Sequence, residues 1–136
     1  MVINNADAAK NMEIEIPGVD ANRGLDLCDG DLSIYLRILH SYAVNTPIVL
    51  DKIRNVSEET LKDYAIKLHG IKGTSEAIGA EEARKTAKHL EEMAKCNDLA
   101  GVVAKNNDLI KYVENLVNRI QVFLQKYEAA GGESFR

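Results

Sequence analysis

Residues 99–127, LAGVVAKNNDLIKYVENLVNRIQVFLQKY, carry the longest regular pattern in the chain. Leu109, Val113, Leu116, Ile120, Phe123 and Tyr127 recur at alternating intervals of three and four, which places them on one face of a helix, and Ile110, Val117 and Leu124 widen that face. The stripe lasts under three heptads, and the neighbouring segments lack charged rows flanking it, so it reads as a core-packing helix of a monomer rather than a coiled-coil strand.

Outward from this segment the same period continues toward the N-terminus. Asn97-Asp98 supplies a turn and cap, and residues 80–96 form a preceding helix with a small inner face of Ala83, Ala87, Leu90 and Ala94. Before it, Ser57 with Glu58 and Glu59 reads as a cap opening a helix that continues to Ile78 and stops at Gly79. Asp31 caps a further helix running to about Asn55, with Tyr35, Leu39, Tyr42, Thr46, Val49 and Ile53 on its inner stripe. Pro47 falls inside that helix and predicts a kink near Asn45 or a break into two, because proline removes a backbone donor and crowds the preceding turn. A short helix is expected over 19–28.

Long amphipathic helices joined by connections of a few residues must run antiparallel to their sequence neighbours. The expectation is therefore an all-α protein, an antiparallel up-down four-helix bundle with a short extra N-terminal helix. Its domain spans 19–128, between a flexible segment over 1–18, polar and ending in Pro17-Gly18, and a flexible tail over 129–136.

Composition narrows the function. Net charge is −4, and the lysines and arginines interleave with glutamates as in RKTAKHLEEMAK (84–95), which is the pattern of a solvated helix face and a poor match for nucleic acid. No apolar run is long enough for a membrane span, and the first residues lack a secretory pattern, so a cytoplasmic location is expected. Cys28 and Cys96 form no CxxC pair and read as reduced thiols. No Glu-x-x-His pair or other convergent ligand set suggests a metal, and no glycine-rich phosphate loop suggests a nucleotide, so neither metal nor cofactor is expected.

The chemistry concentrates in residues 61–80, LKDYAIKLHGIKGTSEAIGA. Gly70 and Gly73 sit inside an otherwise well-patterned helix, where each costs about 1 kcal/mol relative to alanine. Such losses are tolerated where bulk is unwelcome, so the two glycines flag a docking surface. On a helical projection Leu61, Tyr64, Leu68, Ile71, Ser75 and Ile78 face the core, whereas His69 shares the solvated sector with Lys62, Gly73 and Glu76. Lys72 stands at the flank, one turn beyond His69. A neutral exposed imidazole offers a lone pair to an electrophilic phosphorus, and a neighbouring ammonium offsets the charge that arrives with the phosphoryl group.

His69-Gly70-Ile71-Lys72-Gly73-Thr74-Ser75 followed by Ile78-Gly79-Ala80 closely resembles the signature of histidine-containing phosphotransfer (HPt) domains: a histidine, then x-x-Lys-Gly, then a later glycine. Ile16-Pro17-Gly18-Val19-Asp20, Gly24-Leu25, Gly30-Asp31, Leu90-Glu91 and Asn97-Asp98-Leu99 extend the likeness over roughly residues 14–127. The resemblance implies a phosphorelay intermediate that is a carrier without an ATP site of its own. It would take a phosphoryl group from a receiver-domain aspartate of a hybrid sensor histidine kinase and pass it to the receiver domain of a response regulator. By position His69 would be the phosphoacceptor, Lys72 the charge-balancing cation, Gly73 the clearance glycine and Gly79 the structural glycine closing the helix. Lys62, Gly70 and Glu76 are the further docking candidates. The chain departs from the family's usual pattern at Gly70, commonly a small hydroxyl residue or alanine, and at Leu68, often alanine; both departures bear on partner choice rather than on phosphoryl chemistry.

The competing class is a helical adaptor that binds receiver domains without carrying phosphate, whose mark would be loss of the histidine or lysine. A self-standing histidine kinase would need a nucleotide-binding domain for which no residues remain. His40 and His89 lack the Lys-Gly context and read as surface or boundary residues. Free-standing shuttle and piece of a larger hybrid kinase both fit, with Met1 leaning toward the former.

Overall fold

The computed structural model describes residues 13–135. Among them the chain forms five helices and no strand: α1 (Ala21–Leu27), α2 (Leu32–Lys52), α3 (Leu61–Ile78), α4 (Glu81–Lys95) and α5 (Leu99–Ala129). Helices α2 to α5 pack as an antiparallel up-down bundle, each against its sequence neighbour and α2 against α5, while short α1 lies on α2 and α3. The tightest pairing is α3 with α4, because Ala83, Ala87 and Ala94 put almost no bulk between the two backbones.

Local chemistry sets most boundaries. The Asp31 carboxylate accepts the Ile34 amide at 3.1 Å and opens α2, and Asp98 accepts the Gly101 amide at 3.0 Å to open α5. Asn97, just before that cap, has a positive φ of 58°. One boundary differs from the sequence expectation: α3 begins at Leu61 rather than after Ser57. Residues 57–60 instead close a turn in which the Thr60 amide donates to the Ser57 carbonyl at 3.1 Å. The Ser57 amide in turn donates to the Thr60 hydroxyl at 2.9 Å, so both polar groups are spent on the turn. Nor does the chain break at Pro47. Helix α2 runs through it, since Tyr42, Ala43 and Thr46 before the proline and Leu50 after it are all buried, and packing on both sides offsets the lost hydrogen bond.

Residues 1–12 of the lead-in lie outside the described residues. Residues 13–18 run along the bundle, with Ile16 in the core and the Pro17 carbonyl accepting from Arg119 Nε at 2.9 Å. At the other end Phe135 approaches the His40 ring, with centroids 6.0 Å apart. No helix among the described residues is long and apolar enough to cross a membrane.

Three buried polar contacts fix α3 within the bundle, and a fourth anchors the partner of one of them. The Tyr35 hydroxyl donates to the Ile78 carbonyl at 2.8 Å, and the Tyr42 hydroxyl pairs with Ser75 at 3.0 Å. The Tyr64 hydroxyl donates to Asn106 Oδ1 at 2.9 Å, while Asn106 Nδ2 donates to the Ile53 carbonyl at 2.7 Å. Unpaired, each group would cost on the order of 1–3 kcal/mol, so the three contacts to α3, with Asn106 itself held by Ile53, select one rotation and height for that helix. Gly79 ends the helix in a left-handed conformation with φ of 84°, and a side-chain carbon there would run into the Asp20 carbonyl oxygen. Gly79→Ala is therefore expected to cost more than about 1–2 kcal/mol, the left-handed penalty alone, as measured by urea denaturation.

Candidate functional site

Leu61, Tyr64, Leu68, Ile71, Ser75 and Ile78 are all buried. With that face inward, α3 turns His69 to solvent, its side chain 66% exposed, and holds Lys72 at the flank, 24% exposed. Lys62, Gly73 and Glu76 lie on the exposed face with His69. Lys62 lines the same groove as His69, whereas Glu76 lies farther along α3, in the field of Arg84, which Glu81 grips through two hydrogen bonds of 2.7 and 2.8 Å. Gly79 stands outside the site, at the junction with Asp20.

The residue that organises the site comes from α4. Glu91 is only 2% exposed, and its two oxygens meet three donors. Oε1 accepts Lys72 Nζ at 2.7 Å, and Oε2 accepts both His69 Nδ1 and Lys95 Nζ at 2.9 Å. Burial alone would raise the Glu91 carboxyl, but the hydrogen bonds from Lys72, Lys95 and His69 outweigh it and bring its pKa down to about 2. At neutral pH Glu91 is therefore an ionised acceptor.

That charge state assigns the imidazole tautomer. An ionised carboxylate has no proton to give, so a 2.9 Å contact with Nδ1 requires the ring to donate there. The neutral ring then carries its lone pair on Nε2, the nitrogen not engaged by the buried carboxylate. When Nε2 attacks an electrophile the ring acquires positive charge, and the carboxylate at Nδ1 already stands where it stabilises that charge.

The surroundings of His69 are open and uneven. A side-chain carbon added at Gly70 or Gly73 would meet nothing within 4 Å, so internal packing requires glycine at neither position. On one side of this bare ridge a groove of about 630 Å³ between α3 and α4 is bordered by Lys62, Ile66, Lys95 and Asn97. On the other a crevice of about 320 Å³ between α2 and α3 is lined chiefly by apolar atoms, with Ile38, Val49 and Ile71 in its walls. Ile66, 70% exposed, stands beside the histidine.

The remaining histidines are elsewhere: His40 packs near Phe135, and His89 Nε2 lies 3.3 Å from Lys105 Nζ on the α4–α5 side. Among the described residues no three His, Cys, Asp or Glu side chains converge as a metal site would require, and Cys28 and Cys96 are free thiols.

Glu91 and Lys95 are the site residues that reading the sequence for the site passes over. The signal for Glu91 was present, because it falls between Ala87 and Ala94 on the inner stripe of α4, where an acidic residue is anomalous. Lys95 follows from it by the i, i+4 relation.

Comparison with known proteins gives no neighbour, since no family model, curated protein or solved structure matches the chain.

The depressed Glu91 carboxyl contributes stability that is complete above its ordinary value of 4.5 and is lost as pH falls toward about 2. Urea denaturation over that window should show a loss on the order of 2 kcal/mol in the wild type, and a smaller slope in Glu91→Gln.

Proposed function

We propose that this chain is a phosphorelay intermediate in which His69 accepts a phosphoryl group from a receiver-domain aspartate and delivers it to the aspartate of another receiver domain. The observation that carries this reading is the Glu91–His69 contact, 2.9 Å long, made by a buried, ionised carboxylate beneath an exposed imidazole. It leaves Nε2 as a nucleophile on a helix face stripped of bulk at Gly70 and Gly73. The HPt-like run from His69 to Gly73 supports the same reading.

In the transfer the Nε2 lone pair forms a bond to phosphorus as the bond from phosphorus to the donor's carboxylate oxygen breaks. The electron pair of that bond leaves with the carboxylate. Nδ1 keeps its proton, shared with Glu91, so the phosphorylated ring is cationic and remains a good leaving group for the return step. Lys72, already within reach of the site, offsets charge on the phosphoryl oxygens. The chain contributes neither nucleotide nor hydrolytic chemistry; it is a carrier rather than an enzyme.

The partner must present a concave acidic site to a low ridge. The apolar crevice between α2 and α3 and the lysine-bordered groove between α3 and α4 flank that ridge, so an apolar helix with acidic residues beside it is the complementary shape and charge. Receiver domains of a hybrid kinase and of a response regulator are the partners this reading names, with the chain acting as a cytoplasmic monomer.

Radiolabelled phosphate offered from phosphorylated receiver domains should produce acid-labile label on the wild type and none on His69→Gln, with unchanged circular dichroism. Absence of label on both, across a panel of receivers, would leave a receiver-binding adaptor instead. Glu91→Gln should retain its fold but accept phosphate severalfold more slowly, because an amide no longer dictates which ring nitrogen carries the proton. Lys72→Ala should slow transfer without abolishing it.

A further inference from the structure

We infer that Lys95 is a second charge-balancing residue of this site, placed on the opposite side of His69 from Lys72 and held there in the resting state by Glu91. The inference rests on the carrier reading above and extends it to a residue outside the His-x-x-Lys-Gly run.

The geometry follows from the antiparallel packing of α3 and α4. Glu91 lies against His69 and Lys72, so residues one turn later on α4 lie beside residues one turn earlier on α3. Lys95 accordingly borders the same groove as Lys62, Ile66 and His69. Along the α3 axis the histidine is thus bracketed, with Lys72 toward the C-terminal end and Lys95 toward the N-terminal end. The Lys95 side chain is 63% exposed, so its position is set by Glu91 Oε2 at 2.9 Å rather than by packing. Oε2 is also the oxygen that accepts from His69 Nδ1.

Two ammonium groups against one carboxylate leave a single surplus positive charge beside a neutral imidazole. A phosphoryl group adds about −1.5 to −2, and the ring, holding both substituents, adds one positive charge. With both lysines the loaded site comes close to neutrality; without Lys95 it carries about one net negative charge. The phosphoryl oxygens would face Lys62 and Lys72 from α3 and Glu91 and Lys95 from α4, with Glu76 farther along α3 toward Arg84, and of the two cations bound to Glu91 the more exposed Lys95 is the freer to swing onto them. Its tether also matters before loading: by taking part of Oε2 it steadies the carboxylate that positions the ring.

The test uses the full chain, phosphoramidate as a small chemical phosphoryl donor and ³¹P NMR. Attack of Nε2 on phosphoramidate forms the new bond to phosphorus and releases ammonia, so no partner protein is required. Lys95→Arg, Lys95→Gln and Lys95→Glu form a charge series, and Lys105→Gln is a control cation away from the site.

Loading of Lys95→Gln should be about two- to fivefold slower than wild type, the range open to a partly exposed charge, with Lys95→Glu slower still and Lys95→Arg near wild type. The differences should shrink at high salt. In the loaded protein the pH midpoint of the phosphoryl ³¹P shift should rise in Lys95→Gln and further in Lys95→Glu, since a nearby cation favours the dianion. Lys105→Gln should move neither quantity. Wild-type loading with equal rates and midpoints across the series would overturn the role of Lys95 while leaving the carrier reading intact. Failure of arginine to substitute would overturn it as well, by showing that shape and not charge matters. Failure of the wild type to load at His69 from phosphoramidate and from phosphorylated receivers alike would overturn the carrier reading itself.

Discussion

A carboxylate placed inside a closely packed helix pair has to be met by donors, because an uncompensated buried charge costs several kcal/mol. Glu91 imposes that condition on the α3–α4 contact. Its neighbours Ala87, Leu90 and Ala94 are all buried and supply no polar group, so every donor must come from α3 or from the exposed end of α4. Lys72, His69 and Lys95 meet the demand together, and only one rotation of α3 brings the first two into line. The same interaction that seats two helices therefore decides where the proton of an exposed imidazole resides. Structure and reactivity at His69 are one electrostatic arrangement seen from two sides.

The rest of the bundle keeps that arrangement in register. Tyr35 and Tyr42 on α2, and Asn106 on α5, reach α3 from two other directions, and the pairs they form are buried. Burial pushes the Tyr42 hydroxyl up to about 12, so it stays a neutral partner for Ser75 across the physiological range. Beyond the end of α3 the Asp20 amide donates to the Gly79 carbonyl at 2.8 Å, joining the lead-in of α1 to the terminus of the helix that carries the site. Helix α3 is thus held at its end and along its inner face, and left uncovered only along the strip that contains His69, Gly70 and Gly73.

Most of the fold was legible because the period of the apolar residues survives in a single sequence. The stripe from Leu109 to Tyr127 forms the inner face of α5, and Asp31 and Asp98 cap helices as their types suggest. Ser57 misled because a serine followed by glutamates fits a turn as well as a cap, and the choice depends on what Thr60 does three residues later. At Pro47 the sequence leaves a kink and a break both open, and the burial of Thr46 and Leu50 that carries one helix through the proline is a tertiary fact. Within the site, the residues sharing α3 could be projected from sequence alone. Glu91 could not be joined to His69 in that way, since their 2.9 Å contact spans two helices and depends on how closely the alanines of α4 let them approach.

The bare strip of α3 also bears on how this chain would respond to selection or engineering for robustness. Gly70 and Gly73 stand in open space, so alanine at either position would add no clash, and the gain in helix propensity is about 1 kcal/mol apiece. A search for thermal stability alone would pick these two replacements early, and they would add bulk to the open ridge beside His69 that the carrier reading assigns to docking. Durability and recognition pull in opposite directions along one turn of one helix. A chain improved for shelf life by that route would look better folded by every spectroscopic criterion while, on the carrier reading, presenting a rougher face to a receiver domain.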